Sequence, residues 1–179
     1  MVNKLALIIL VLSWFVVTSA SALTVDEAYR AIPHRQTVFI AQQSRMPQED
    51  KTFLVEFFNL IDQAIVERVQ MQSELNSGNR SSLNPSAYDQ ILEQLKMMPV
   101  PSKFENIHQL VYEAIEDQGS YLEGWKNSGK SVAPGANAWV QSASQKLHQA
   151  YQLFMDLYPQ ESQHNKDAFF DYLCALDFI

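Results

Sequence analysis

Two Glu-x-x-His sequences are the most specific chemical pattern in this chain: Glu105 precedes His108, and Glu161 precedes His164, each by three positions. On an α-helix, residues three apart lie on the same face. Helical bundles that hold two metal ions use this pair twice and add carboxylates from the remaining helices, a role that Asp156 would fill. The five residues are therefore candidate ligands of an iron site.

His108 also suits a haem site, because it lies among apolar residues of a predicted helix and haem iron in a bundle takes a His and a Met, or two His, as axial ligands. The candidate Met partners are Met71, Met97, Met98 and Met155. Covalent haem attachment is excluded, since the sequence has no Cys-x-x-Cys-His. The simpler interpretation is that His108 is a boundary residue with a hydrogen-bonded ring and that both glutamates are ordinary acids at helix starts. We therefore predict no cofactor, with iron or non-covalent haem as alternatives.

A second candidate site is the segment YRAIPHRQTVF at residues 29–39, which concentrates Arg30, His34 and Arg35 in an otherwise acidic protein. It has no helical or strand periodicity, and loops carry binding functions more often than regular elements do. These three cations are therefore candidate binding residues. The alternative is a strap in which the cations face solvent and three apolar side chains cover the bundle, namely Ile32, Val38 and Phe39.

Enzymatic motifs are missing from the sequence. It contains no Gly-x-Ser-x-Gly, phosphate-binding loop or His-Glu-x-x-His. The only cysteine, Cys174, lies in the apolar run YLCAL, where burial would raise the pKa of the thiol and make it a poor nucleophile. We therefore expect a protein that is not an enzyme. Cys174 is either a buried, inert thiol or the site of an intermolecular disulfide.

The first 22 residues have the organisation of a secretory signal peptide. Lys4 precedes an uncharged run at residues 5–17, and Ala20-Ser21-Ala22 provides the small-x-small pattern of a cleavage site. The run is shorter than the roughly 20 residues of a membrane span, so we expect cleavage after Ala22 and no stable membrane span afterwards. No twin arginine is present, which favours the general secretory route to a periplasmic or secreted location. The alternative is an uncleaved anchor.

The charge and length of the processed chain restrict its possible partners and its number of domains. Removing residues 1–22 takes away only Lys4, so the formal charge changes from -7 to -8, and 157 of the 179 residues remain. An acidic chain argues against nucleic acid and anionic membrane surfaces as partners. The length fits one domain. We divide the chain into a signal peptide at 1–22, a short helix and irregular strap at 23–46, and a helical bundle at 47–179.

Apolar residues recur at spacings of three and four along most of this chain, which predicts an all-α protein. Thr24 and Glu27 have the spacing of a capping box, and Ser102 with Glu105 repeats it. The predicted helices cover residues 24–31, 47–75, 85–98, 102–125, 136–158 and 162 to the C-terminus.

The sequence therefore predicts an antiparallel helical bundle of about four main helices with short accessory helices. Its function would be non-enzymatic binding of an unknown envelope protein or small ligand after export. The alternatives are a periplasmic metal or haem redox bundle and an envelope chaperone, which would need exposed apolar surface.

Overall fold

The computed structural model describes residues 23–32, 36–78, 84–128 and 134–177, and this part of the chain contains helices and no strand. The predicted signal peptide, His34 and Arg35 lie outside the described residues. The α-helices are α1 (Val25–Ala31), α2 (Gln48–Ser77), α3 (Ser86–Met97), α4 (Glu105–Ser128), α5 (Ala138–Leu157) and α6 (Gln163–Leu176). Single turns of 3-10 helix occur at Ala41–Gln43, Ser102–Phe104 and Pro134–Ala136. The all-α prediction is confirmed.

Local side-chain and backbone signals set several helix ends. The capping box of α1 forms as predicted: Thr24 Oγ1 accepts from the Glu27 amide at 3.3 Å, and the Glu27 carboxylate accepts from the Thr24 amide at 2.9 Å. Asn137 caps α5 and Ser162 caps α6, each by accepting a backbone N–H of its own helix. α2 ends at Gly78, whose φ of 71° is left-handed backbone that glycine adopts without steric cost.

The start of α4 differs from the prediction. Ser102 does not cap this α-helix; it begins a 3-10 turn that follows Pro101, and α4 starts at Glu105. The tighter turn accompanies the insertion of Phe104, which is fully buried and stacks on Phe53 with ring centroids 4.6 Å apart. Core packing, rather than a cap, therefore determines how the chain enters α4.

α2 is the central element of the bundle. It packs against α1, α3 and α6, while α4 packs against α3 and α5, and α5 packs against α6. The interior is rich in aromatic rings; for example, Phe58 and Tyr172 stack with centroids 4.3 Å apart and planes 7° from parallel. Further rings join them: Phe39, Phe53, Phe57, Phe104, Phe154 and Phe169. Such pairs contribute about 0.5–1.5 kcal/mol each beyond their buried area.

Of the strap predicted within residues 23–46, the structure describes residues 36–46 as an irregular segment that lies across the bundle. The name strap is used below for residues 36–46. Asn165 holds them with its side chain: Oδ1 accepts from Ile40 N at 3.0 Å, and Nδ2 donates to Ile40 O at 3.4 Å. Phe39 is buried as expected, but Val38 is 52 % exposed, so the prediction that it covers the bundle is wrong. Side chains alternate along extended backbone, so the inward positions of Thr37 and Phe39 direct Val38 outward.

Candidate functional site

A groove runs between α5 and α6, and we call it the α5–α6 groove. Each wall contributes four side chains at the spacing i, i+3, i+4 and i+7, which brings them to one face of a helix. The wall of α5 consists of Ser144, Leu147, His148 and Tyr151, and the facing wall consists of Phe170, Leu173, Cys174 and Asp177. The groove has a volume of about 220 Å³ and is lined mainly by apolar atoms.

Leucine and aromatic side chains shape the interior of the groove. Leu147 and Leu173 are each 2 % exposed and belong to the bundle core. Above them, the rings of Tyr151 and Phe170 meet edge-on, with centroids 5.5 Å apart and an interplanar angle of 74°. Phe170 is 42 % exposed, so part of this ring remains in contact with solvent. The groove is therefore an apolar, solvent-accessible surface over two buried leucines of the core.

A polar contact closes one end of the groove. Ser144 Oγ donates to Asp177 Oδ2 at 2.7 Å, which ties the residue that ends α6 to the second turn of α5. His148 lies one helical turn after Ser144 and is exposed. An apolar ligand in the groove would therefore have polar groups at its margin.

Cys174 lies half buried in the wall of the groove. Burial, together with the negative charges of Asp177 and Asp171, raises the pKa of its thiol to about 11. A thiol with this pKa stays protonated at neutral pH and is a weak nucleophile. Cys174 therefore contributes a small apolar surface to the groove.

The residues predicted from the first Glu-x-x-His sequence do not act together. Glu105 is exposed at the first position of α4. His108 is half buried, and its Nε2 donates to the carbonyl oxygen of Leu95 at 3.0 Å, while its ring packs 5.8 Å from that of Phe57. Burial lowers the pKa of His108, although the bond to Leu95 opposes this shift. The neutral, hydrogen-bonded ring matches the simpler interpretation of this histidine.

The second Glu-x-x-His sequence binds the strap. Glu161 accepts from Ser44 Oγ, and His164 Nε2 donates to the carbonyl oxygen of Val38 at 2.9 Å. Burial raises the pKa of the Glu161 carboxyl. The hydrogen bonds that it accepts from Ser44, Ser162 and Asn165 outweigh this effect, so the pKa is lowered overall. Asp156 is exposed on α5. Over the described ranges, no group of three or more His, Cys, Asp or Glu side chains is placed to hold a metal ion.

Of the three candidate binding cations, only Arg30 belongs to the described residues. Arg30 is exposed on α1, and its Nε donates to the carbonyl oxygen of Asp26 at 3.1 Å within the same helix. His34 and Arg35 lie outside the described residues, so a binding cluster of the three cations stays a prediction. The strap that follows them is fixed to α6 by Asn165.

The sequence interpretation named Cys174 but missed the rest of the groove. The signal was present as the i, i+3, i+4, i+7 pattern on both helices, which is also the pattern of ordinary core positions. Only the packing of α5 against α6 distinguishes a groove wall from a fully buried face.

Comparison with protein-family models, curated proteins and solved structures finds no match to this chain. Among the helices that the structure describes, none is both long and apolar enough to cross a membrane.

Proposed function

We propose that this chain is an exported, non-enzymatic binding protein whose α5–α6 groove receives one apolar side chain of a partner protein. The observation that carries the proposal is the groove itself: an apolar surface with two buried leucines at its base and two aromatic rings above them. Interfaces of modest size depend on a few large side chains inserted into such pockets.

The volume supports an anchor residue rather than a large ligand. Pockets for drug-sized molecules measure about 300–1,000 Å³, whereas a cavity of about 150 Å³ accommodates benzene. The groove, at about 220 Å³, lies between these limits. Its size therefore suits a single aromatic or branched aliphatic side chain.

The negative charge of the protein favours a partner in which basic residues surround the anchor side chain. The chain carries a formal charge of -7, or -8 once Lys4 is removed with the signal peptide. Opposite charges around an apolar anchor increase association rates and discriminate between partners. The partner we propose therefore presents its anchor residue on a basic surface, in the envelope or outside the cell.

Binding, rather than catalysis, is supported by the state of the nucleophilic groups at the groove. The Cys174 thiol stays protonated because burial raises its pKa to about 11. The Ser144 hydroxyl donates to Asp177, a weak base, instead of to a histidine. A chaperone would need a contiguous apolar surface. Within the described ranges, the large exposed apolar side chains are instead spread over the strap, α2, α3, α5 and α6: Val38, Val55, Met97, Trp139, Leu157 and Phe170.

Equilibrium dialysis against capped amino acids tests the groove. We expect N-acetyl-phenylalaninamide and N-acetyl-leucinamide to bind with a Kd of about 1–10 mM, since a single buried side chain contributes only a few kcal/mol. N-acetyl-serinamide is the polar control. Cys174→Phe fills the groove and should weaken binding at least tenfold. Met97→Phe adds the same ring at an exposed position of α3 and should not change it. Equal affinities for the three compounds would contradict the proposal.

Export is tested separately by expressing the full chain in a bacterium with a tagged C-terminus. We expect the protein in the periplasmic fraction, with Leu23 as its first residue in N-terminal sequencing. Retention in the cytoplasm with the first 22 residues attached would contradict export and processing.

A further inference from the structure

A second cleft, distant in sequence from the groove walls, lies between α1, α2 and α3; we call it the α1–α2–α3 cleft. Its volume is about 470 Å³. Apolar side chains such as Ile91 and Val66 form its base, and the amides of Gln63, Gln90 and Gln94 border it. Leu23, at the start of the described chain, is also part of the wall.

Glu67 is the carboxylate of this cleft. It is half buried, and within the described residues it makes no hydrogen bond and no ion pair. Burial raises the pKa of Glu67, and the negative charge of Glu74, two turns further along α2, adds to this effect. A partly desolvated carboxylate without a partner is unfavourable, and a cation beside it would remove the penalty.

We propose that the α1–α2–α3 cleft is an ammonium-binding site, and that its occupant is the α-ammonium group of Leu23 in the processed chain. The inference rests on the proposed cleavage after Ala22. Hydrolysis of the Ala22–Leu23 peptide bond by water leaves a carboxylate on Ala22 and an amine on Leu23, which takes up a proton. The α-amino group has a pKa of about 7.7–8.0, so it is largely protonated at pH 7. Processing thus creates a positive charge on a residue that already lines the cleft of Glu67.

The charged groups around this site include the other carboxylates that could bind the ammonium group. α2 contributes Glu67 and Glu74, and α1 contributes Asp26 and Glu27 in its first turn and Arg30 in its last turn. Glu27 already accepts bonds from both the amide and the hydroxyl of Thr24. The cleft wall formed by Asn84 and α3 carries no ionised side chain. It consists of Asn84, Ala87, Gln90, Ile91 and Gln94. Glu67 is therefore the cleft carboxylate that remains available to the new cation.

The test uses the chain from Leu23 to Ile179, which contains the whole described core, residues 28–176. Leucine labelled with ¹³C reports the titration of the Leu23 amine by NMR. We expect the pKa of the α-ammonium group to lie about one unit above the reference range, and to return to it in Glu67→Gln. Acetylation of Leu23 should lower Tm by about 2–3 °C in the parent and not in Glu67→Gln. Glu56→Gln, at an exposed position of α2, is the matched control and should leave the pKa raised.

Two results would overturn the proposal. One is an amine pKa that is the same with and without Glu67. The other is a raised pKa that survives Glu67→Gln but is lost in Glu27→Gln, which would assign the ammonium to the capping carboxylate instead. Because the chain is produced with Leu23 already first, these outcomes are independent of whether cells cleave after Ala22.

Discussion

Arg68 Nε donates to the backbone carbonyl oxygen of Ala175 at 2.8 Å, and this buried bond joins the C-terminal half of α2 to the last turn of α6. The final carbonyls of a helix have no partner within the helix. Gln118 satisfies the next one, with Nε2 donating to Leu176 O at 2.7 Å. The end of α6, where Asp177 closes the α5–α6 groove, is therefore held from α2, α4 and α5 together.

Replacing Arg68 with methionine removes the donor but keeps much of the apolar stem. Because the carbonyl of Ala175 would lose its buried partner, we expect the free energy of unfolding to fall by about 2–3 kcal/mol. Urea denaturation followed by circular dichroism measures the change. Arg45→Met, at an exposed position of the strap, is the control. Equal stabilities of the two variants would show that the bond has no structural importance.

Asn165→Ala removes both side-chain bonds that hold Ile40. We expect hydrogen exchange at the Ile40 amide to become about 10- to 100-fold faster, since two neutral hydrogen bonds contribute roughly 1–3 kcal/mol together. Asn165→Asp keeps the acceptor for Ile40 N and should give a smaller increase. Unchanged exchange in the alanine variant would mean that Phe39 and the bonds of Glu161 and His164 hold the strap without Asn165.

Asp62 gives the fold a dependence on pH. Burial raises the pKa of this carboxyl to about 6, although the hydrogen bond from Tyr29 lowers it in part. An unfolded chain titrates Asp near 3.9, so the folded protein binds the extra proton between about pH 4 and pH 6. Ionisation of Asp62 thus costs stability as pH rises through this window.

Asp62→Asn keeps an acceptor for Tyr29 and removes the charge. We expect it to increase the free energy of unfolding by about 1–2 kcal/mol at pH 7.5, allowing for partial exposure, and to lose this advantage below pH 4. Thermal unfolding of both proteins from pH 3.5 to pH 7.5 provides the measurement. An advantage that is constant over this range would contradict the raised pKa.

Cys174 should react slowly with electrophiles. Burial raises the pKa of its thiol from 9.0 to about 11, so the thiolate fraction at pH 7 is about 100-fold below that of an unshifted cysteine. We expect alkylation by iodoacetamide to be slower than that of glutathione by about this factor, and to accelerate with each increase in pH up to about 10. Mass spectrometry follows the reaction. A rate equal to that of glutathione at pH 7 would contradict the burial of the thiol.

Much of the fold was predictable because its signals are local. Pro47 and the Asn76-Ser77-Gly78 cluster frame α2, and Thr24 with Glu27 forms the capping box that their spacing indicates. The strap resisted assignment because its conformation depends on Asn165, which lies 125 positions from Ile40. Local patterns carry no information about such a distant bond.

Charged residues with structural roles were harder to predict. Arg68 falls three, four and seven positions after Ile65, Ala64 and Ile61, so helical spacing places it on the buried face. A charged side chain favours solvent instead. Asp50 lies in the first turn of α2, where the helix dipole favours acids, yet it is buried and accepts from Lys103 Nζ at 2.9 Å and Tyr158 Oη at 2.6 Å. In both cases, hydrogen-bond partners that are distant in sequence allow the charged side chain to be buried.

The most direct test of the account is to locate an apolar side chain in the α5–α6 groove. We would label leucine methyl groups and record ¹H–¹³C spectra while adding N-acetyl-phenylalaninamide. The account predicts saturable shifts at Leu147 and Leu173, which face the groove, none at Leu54 on α2, and loss of the shifts in Cys174→Phe. Shifts of equal size at all three leucines, or shifts that persist in the filled variant, would contradict binding at this groove.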